Sequence, residues 1–179
     1  MALNVENGSG LPNADSYVTV AEADAYLAKY GQDEDSSWSS ATEAQKEDAI
    51  RRATQEYLEG IYYNAWRGSI KTKTQRLSWP RIGSHDDAGR MIDSSVVPDQ
   101  IKEASALVAL NVIQGDAIIS DGYDRGHITR ETKKGVGFEL TTEYGSAGGG
   151  YSDSTQRRLR RADTLIYPFI AGASGVSIF

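Results

Sequence analysis

Cysteine and histidine, two of the side chains that most often act as nucleophile, general base or metal ligand, are scarce in this 179-residue sequence. Because it has no cysteine, thiolate chemistry and cysteine-based metal sites are excluded, and its two histidines are the only imidazoles. His85 precedes Asp86 and Asp87, but adjacent side chains point in different directions and glycines flank the segment, which favours a solvated turn. His127 has no second histidine one helical turn away and is interpreted as a surface or interface residue. We predict no metal site.

Motifs for nucleotide binding and acyl transfer are also missing from the sequence. The glycines of 145–150 lack the strand and helix that flank a dinucleotide-binding turn, and no phosphate-binding loop occurs. Residues 172–175 do not match a nucleophile elbow. The many carboxylates fall mostly on polar helix faces, where solvation is their ordinary role. The sequence therefore predicts no catalytic residue, no cofactor and no enzymatic activity.

Aromatic and basic residues interleave in the middle of the chain. The group comprises Tyr62, Tyr63, Trp66, Arg67, Lys71, Lys73, Arg76, Trp79, Pro80 and Arg81. Such a mixture is typical of a groove in which the bases of a nucleic-acid single strand stack. The alternative is an aromatic satellite core with basic side chains at its edges. The irregular spacing favours this alternative, and we predict that Trp66, Trp79, Pro80 and Arg81 pack a loop or form an interface.

A second group of candidate binding residues lies near the C-terminus. Four arginines, Arg157, Arg158, Arg160 and Arg161, precede an apolar stretch that contains Leu165, Ile166, Tyr167 and Phe169. The arginines suit phosphate or an acidic protein surface, and simple solvation is an alternative. A helix that is basic and then apolar must dock in order to bury its apolar face, either on its own core or on a neighbouring subunit. We interpret these eight residues as a partner-binding surface.

Composition and charge narrow the class of protein. A chain of this length, with 39% hydrophobic and 25% charged residues, is typical of one soluble globular domain. No apolar run reaches 18 residues and no signal peptide is recognisable, so we predict no membrane partner. The net charge of −6 is uneven, because residues 1–60 contain 12 acidic and four basic side chains. Charge alone therefore does not favour nucleic-acid binding.

The hydrophobic patterns predict a mainly α fold, with about four helices in a compact core, one β-hairpin, and extended N- and C-terminal arms. Helices are predicted at 20–30, 43–61, 98–114 and 154–170, and the hairpin at 127–144. Capping boxes at Thr19 and Thr42 mark the first two helix starts, and Pro98 suits the first turn of the third. Residues 64–97 have no sustained period and are interpreted as a long, pinned loop.

These elements suggest three parts of the chain. Residues 1–144 form the helical core with the hairpin, residues 145–152 a glycine-rich tether, and residues 153–179 a docking helix and tail. The first 18 residues are rich in turn formers and are interpreted as an irregular arm of the kind that lies on a neighbour.

An ordered series of short motifs resembles a family of tailed-phage and prophage proteins. The series opens with 14–27 (ADSYVTVAEADAYL), and continues with Arg52-Ala53-Thr54 before Tyr57-Leu58, Trp66-x-Gly68, Gln75-x-Leu77-x-Trp79-Pro80-Arg81, Gly89 with Ile92, Val97-Pro98, and Arg130-Glu131 before the 135–144 strand. Members carry the label DnaT-like single-stranded-DNA-binding protein and are similar to head–tail connector proteins. The glycine-rich 145–152 and the arginine-rich last helix depart from the family pattern.

The resemblance implies a structural head–tail connector, or adaptor, without catalysis. Such a protein forms a homo-oligomeric ring, dodecameric in the virion, under the portal protein, where it extends the DNA channel and supports a neck or tail-completion protein. Genomic DNA would pass without sequence-specific binding, and the acidic N-terminal half, including Asp33, Glu34 and Asp35, would discourage sticking. The protein would be made in the host cytoplasm and reside in the virion. The family label implies an alternative, a single-stranded-DNA-binding replication accessory protein.

Overall fold

The computed structural model describes residues 2–33, 36–116, 118, 128–134, 139–144 and 153–171. This part of the chain is mainly α, as predicted. The helices are α1 (Val20–Lys29), α2 (Ser37–Ser40), α3 (Glu43–Arg52), α4 (Glu59–Tyr62), α5 (Asp99–Ile113) and α6 (Asp153–Ile166). The predicted tether at 145–152, His127, Glu34, Asp35 and the tail from 172 onwards lie outside the described residues. Within the described part, no helix combines the length and apolar character needed to cross a membrane.

Both predicted capping boxes are present. At the start of α1, the Thr19 hydroxyl accepts from the Glu22 amide at 3.1 Å, and the Glu22 carboxylate accepts from the Thr19 amide at 2.9 Å. Thr42 and Gln45 repeat the arrangement at the start of α3. Each box satisfies two backbone donors that have no partner inside the helix. Residues three positions apart were therefore sufficient to predict where α1 and α3 begin.

The predicted helix at 43–61 is continuous but not α-helical throughout. Between α3 and α4 the backbone forms a π-helical segment, Ala53–Leu58. Four of its six residues are buried, and the Thr54 hydroxyl lies 3.4 Å from that of Ser105 on α5. A π-turn contains an extra residue and shifts the helix register, which sequence periodicity does not reveal.

The loop at 64–97 contains a short antiparallel ladder that the sequence analysis missed. Strand β1 (Ser69–Ile70) pairs with β2 (Arg81–Ile82). Two residues per strand are too few to produce an alternating pattern, so no prediction was possible. Between the strands, Leu77 and Trp79 are buried in the main core. The loop is therefore fixed by side chains rather than by an extended sheet.

The central helix α5 is buried along most of its length and receives α6 against it. Pro98 is the N-cap of α5, not a residue of its first turn, and the helix begins at Asp99. From α6, Leu159, Ala162 and Ile166 enter the core, and Phe169 follows in a 3₁₀ turn, Tyr167–Phe169. The C-terminal helix thus belongs to the same hydrophobic core as the rest of the chain.

The N-terminal segment packs on this chain's own core. The Glu6 carboxylate accepts hydrogen bonds from the amides of Gly8, Gly10 and Leu11 at 2.9, 2.9 and 2.7 Å. Ala14, Tyr17 and Val18 are buried. Because backbone amides are satisfied locally by one carboxylate, the segment needs no regular secondary structure to pack.

The predicted β-hairpin is confirmed. Strands β3 (Ile128–Lys134) and β4 (Glu139–Tyr144) pair antiparallel, with Glu131 opposite Thr142 and an irregularity between Ile128 and Arg130. They form a sheet of two strands, separate from β1 and β2.

Candidate functional site

The two tryptophans of the aromatic and basic group lie inside the protein. Trp79 is 0% exposed and Trp66 is 4% exposed. Their rings meet edge to face with centroids 5.9 Å apart, and the Phe169 ring lies 5.7 Å from that of Trp79. Edge-to-face contacts of this kind stabilise a core beyond the burial of area alone. Neither indole is available on the surface for stacking with a nucleic-acid base.

Arg81 is also buried, at 9% exposure, and it holds the loop together. Its Nε donates to the Arg67 carbonyl at 2.7 Å, and its terminal nitrogens donate to the carbonyls of Ser78 at 3.1 Å, Gly68 at 2.6 Å and Trp66 at 3.4 Å. Burial lowers the pKa of this guanidinium from its usual value. Arg81 is therefore a structural clamp on four carbonyls.

Next to this clamp lies a buried polar cluster around Glu59. The Glu59 carboxylate accepts from the Tyr17 hydroxyl and from the amide and hydroxyl of Ser78. The Tyr17 hydroxyl in turn accepts from the Trp79 amide at 3.1 Å. Burial raises the pKa of Tyr17 well above its usual value, and the adjacent Glu59 carboxylate adds to this effect. The cluster connects the N-terminal segment, α4 and the loop, and its groups satisfy one another.

The structure divides the eight C-terminal candidate residues between two environments. Ile166, Phe169 and Arg158 are buried in this chain's own core, whereas Arg157, Arg160 and Arg161 are exposed. Leu165 and Tyr167 are half-buried. Of the two docking surfaces considered from sequence, the apolar face of α6 uses its own core. The binding of a partner by the exposed arginines stays a prediction.

Two polar side chains of α6, Arg158 and Asp163, fix the orientation of the helix. Arg158, 7% exposed, donates to Asn111 Oδ1 at 3.0 Å and to the Gln114 side chain, both at the end of α5. Asp163 accepts from the hydroxyl of Tyr62 at 2.6 Å and from that of Tyr57. Burial, together with the Asp163 carboxylate, raises the pKa of both tyrosines. These contacts place the arginine-bearing face of α6 in one defined position.

The segment around His85 is held by ion pairing and hydrogen bonds, not by solvation alone. Asp86 is buried, and its carboxylate accepts hydrogen bonds from the Arg90 amide at 2.9 Å and from Arg90 Nε at 2.7 Å. Asp87 forms an ion pair with Arg67 at 2.6 Å. Neither aspartate is therefore freely solvated. Among the residues that the structure describes, no group of three His, Asp or Glu side chains could hold a metal.

Sequence reasoning missed the residues that position the candidate side chains. Tyr17, Glu59, Asn111, Gln114 and Asp163 are ordinary polar residues in the sequence, and each acts on a partner more than 40 positions away. The one available signal was Asp163, a single acid after four arginines on the predicted helix. This signal does not by itself show that Asp163 faces the core, because that depends on its tyrosine partners, which are distant in sequence.

Among the comparisons with known proteins, a match was found to one family model. No curated protein and no solved structure matches the chain. The family model described as "Putative DnaT-like ssDNA binding protein" matches residues 1–179, which is the whole sequence. The ordered motifs at 14–144 had indicated the same family. On this match, the chain belongs to the DnaT-like ssDNA-binding family.

Proposed function

We propose that this protein is a structural head–tail connector of a tailed bacteriophage. In this role it assembles as a ring under the portal protein, extends the channel for DNA and supports a neck or tail-completion protein. It resides at the head–tail interface of the virion and carries out no catalysis. The support comes from the ordered motifs that resemble connector-like phage proteins and from three features of the fold.

The observation that carries the proposal is the β3–β4 hairpin. Within the described residues, each strand has one paired edge, and the other edge has no ladder partner. A hairpin of two strands is marginally stable in water by itself, and unpaired edges are templates for strands of other chains. Pairing with a neighbouring copy would satisfy these edges and join subunits.

The other two features are the burial of the tryptophans and the exposure of the arginines on α6. Both tryptophans of the aromatic and basic group are buried, so neither can stack with a base of a nucleic-acid single strand. The exposed arginines of α6 form a local basic region on a chain of net charge −6, suited to a limited acidic surface. A protein-facing role for α6 is consistent with both.

A mixing experiment tests the proposal. The purified full chain is incubated with its cognate portal ring, and separately with a labelled single-stranded oligonucleotide at physiological salt, and complexes are sized by light scattering after gel filtration. We expect a stoichiometric portal complex and no DNA complex. A deletion of 153–179 is unsuitable as a control, because it would remove Ile166 and Phe169 from the core.

Substitution within β3 tests the hairpin itself. Proline at position 132 (Thr132→Pro) removes one backbone donor from the strand, whereas Thr132→Val retains it and favours extended structure. We expect the portal complex to contain fewer copies, or none, with proline and to be unchanged with valine. Equal assembly by both variants would argue against pairing through the hairpin.

A second candidate function comes from the name of the family. That name describes single-stranded-DNA binding, and a replication accessory protein would fit it. With the tryptophans buried, such binding would depend on the exposed arginines of α6 and on phosphate contacts. Salt-sensitive oligonucleotide binding without a portal complex would establish this function in place of the connector.

A further inference from the structure

One face of α6 and Gln32, in the turn that follows α1, line an open cleft of about 600 Å³. Its lining residues are Gln32, Ser154, Arg157, Arg158, Arg161, Thr164 and Leu165. The α6 members recur at three- and four-residue spacing, so they form a single stripe on the side of the helix away from Leu159, Ala162 and Ile166. We call this feature the arginine cleft.

The described lining of the arginine cleft has three positive side chains and no acidic one. Arg158 is the most informative, because it is buried and its hydrogen-bond partners are the neutral side chains of Asn111 and Gln114. In the described part of the chain, no carboxylate lies within ion-pairing distance of it. A buried charge without a counterion is costly, and an anion in the cleft would offset that cost.

The neighbouring arginine has a different environment. Arg161 lies over the Tyr30 ring, with 5.3 Å between its guanidinium carbon and the ring centroid. Glu103 on α5 is within electrostatic reach of Arg161, although the two form no direct ion pair among the described residues. The contact with Tyr30 restrains the Arg161 guanidinium, and its planar fork suits two parallel hydrogen bonds to a carboxylate.

The surroundings of the cleft favour a short anionic segment over a long polyanion. The first 60 residues, which include α1 and Gln32, contain 12 acids and four bases. A nucleic-acid strand needs a continuous track of positive charge, whereas the cleft offers three arginines on a chain of net charge −6. A peptide with two or three carboxylates needs only the cleft itself. Its volume is in the usual range for ligand pockets, and Leu165 adds an apolar contact.

We propose that the arginine cleft binds an acidic peptide segment of a protein partner through its carboxylates. Arg157 and Arg161 contact carboxylates from the rim, and Arg158 supplies the positive charge at the buried wall. This inference does not depend on the partner's being a portal protein. It assigns a ligand chemistry to α6 whichever assembly the protein joins.

The test uses the full chain and three fluorescein-labelled probes: a hexaglutamate peptide, a hexaglutamine peptide and a 12-nucleotide oligothymidylate. Binding is measured by fluorescence anisotropy at low and at physiological salt. The variants are Arg157→Gln with Arg161→Gln, and Arg160→Gln as the matched control. Arg160 is exposed on the same helix but does not line the cleft. Circular dichroism of each variant establishes that the fold is retained, and each cleft substitution is also made singly.

We expect hexaglutamate to bind, hexaglutamine to bind at least tenfold more weakly, and the double cleft variant to lose at least tenfold in affinity. Arg160→Gln should remain within about twofold of the unmodified chain, since it removes one positive charge outside the cleft, as each single cleft substitution removes one inside it. Equal losses in Arg160→Gln and in the single cleft variants would mean diffuse attraction and would overturn the proposal. Absence of hexaglutamate binding, or tighter oligothymidylate binding that the cleft variants abolish, would overturn it as well.

Discussion

At the scale of single residues, Arg81 shows why a buried arginine need not pair with a carboxylate. Its donors form a rigid fork that reaches four carbonyls around the β1–β2 loop. Those carbonyls would otherwise be left without protein donors when the loop folds over Trp79. The motif Trp79-Pro80-Arg81 therefore has a structural role. The Trp79 indole fills the core, and the Arg81 guanidinium binds the carbonyls of the loop.

We expect Arg81→Lys to lower the free energy of unfolding by about 2 to 4 kcal/mol. One ammonium group has no planar fork and cannot reach all four carbonyls, so buried acceptors are left unpaired. Urea unfolding monitored by tryptophan fluorescence measures the change. Arg76→Lys is the matched control, because Arg76 is exposed in the same loop, and it should change stability by less than about 0.5 kcal/mol. Similar losses in both variants would contradict the clamp.

Tyrosines whose pKa is raised in the folded state predict a loss of stability in alkali. Burial and adjacent carboxylates raise the pKa of Tyr17, Tyr57 and Tyr62 in the folded state. Below about pH 10 these groups stay protonated in both states, and their contribution is fully present. Above about pH 10 the unfolded chain releases protons that the folded chain retains, so the free energy of unfolding falls by up to roughly 1.4 kcal/mol per pH unit for each tyrosine.

Urea unfolding from pH 9 to 11 tests this expectation. Tyr57→Phe removes one of these groups and should reduce the slope above pH 10 by up to roughly 1.4 kcal/mol per pH unit. Tyr63→Phe is the control, because that side chain is 62% exposed, and its slope should equal that of the unmodified chain. A slope unaffected by Tyr57→Phe would show that other groups govern alkaline unfolding.

At the scale of secondary-structure elements, the starts of α1 and α3 reflect their local sequence. In α3 the Thr42 hydroxyl accepts from the Gln45 amide, and the Gln45 side chain accepts from the Thr42 amide. Both contacts involve residues three positions apart, and for this reason the sequence alone predicted them. The position of α6 on α5, in contrast, depends on contacts between residues that are distant in sequence, such as Arg158 and Asn111.

We expect Thr42→Ala to destabilise the protein by about 1 kcal/mol, because it leaves helix-start donors unsatisfied. Thr42→Ser retains the hydroxyl and should lie within a few tenths of a kcal/mol of the unmodified chain. Thermal unfolding followed by circular dichroism compares the two. If serine were as destabilising as alanine, the methyl group of Thr42 and not the cap would be responsible.

At the scale of the whole molecule, the two ends of the chain meet the same central region. Tyr17 from the N-terminal segment donates to Glu59, and Phe169 from the C-terminal turn packs on Trp79. The Arg67 amide also donates to the Phe169 carbonyl at 2.9 Å. The described parts of the N- and C-terminal segments are thus integral to one core, and their removal would expose it.

Truncation of one C-terminal side chain tests this unity. We expect Phe169→Ala to reduce the free energy of unfolding by about 3 to 5 kcal/mol, since the cavity would lie against Trp79. Leu165→Ala, at a half-buried position of α6, should cost less than half as much. Urea denaturation followed by tryptophan fluorescence and by circular dichroism should give coincident transitions for both. A small loss for Phe169→Ala would mean that the C-terminal turn only rests on the core.

The sequence by itself determined the mainly α class, both capped helix starts, the hairpin and the family. Each follows from residues a few positions apart or from an ordered series of short motifs. Only the tertiary structure decided that the tryptophans are buried, that α6 covers its own core, and that Arg158 lies between Asn111, Gln114 and a cleft. The physical reason is distance along the chain: Arg158 and Asn111 are 47 residues apart, and only packing brings them together.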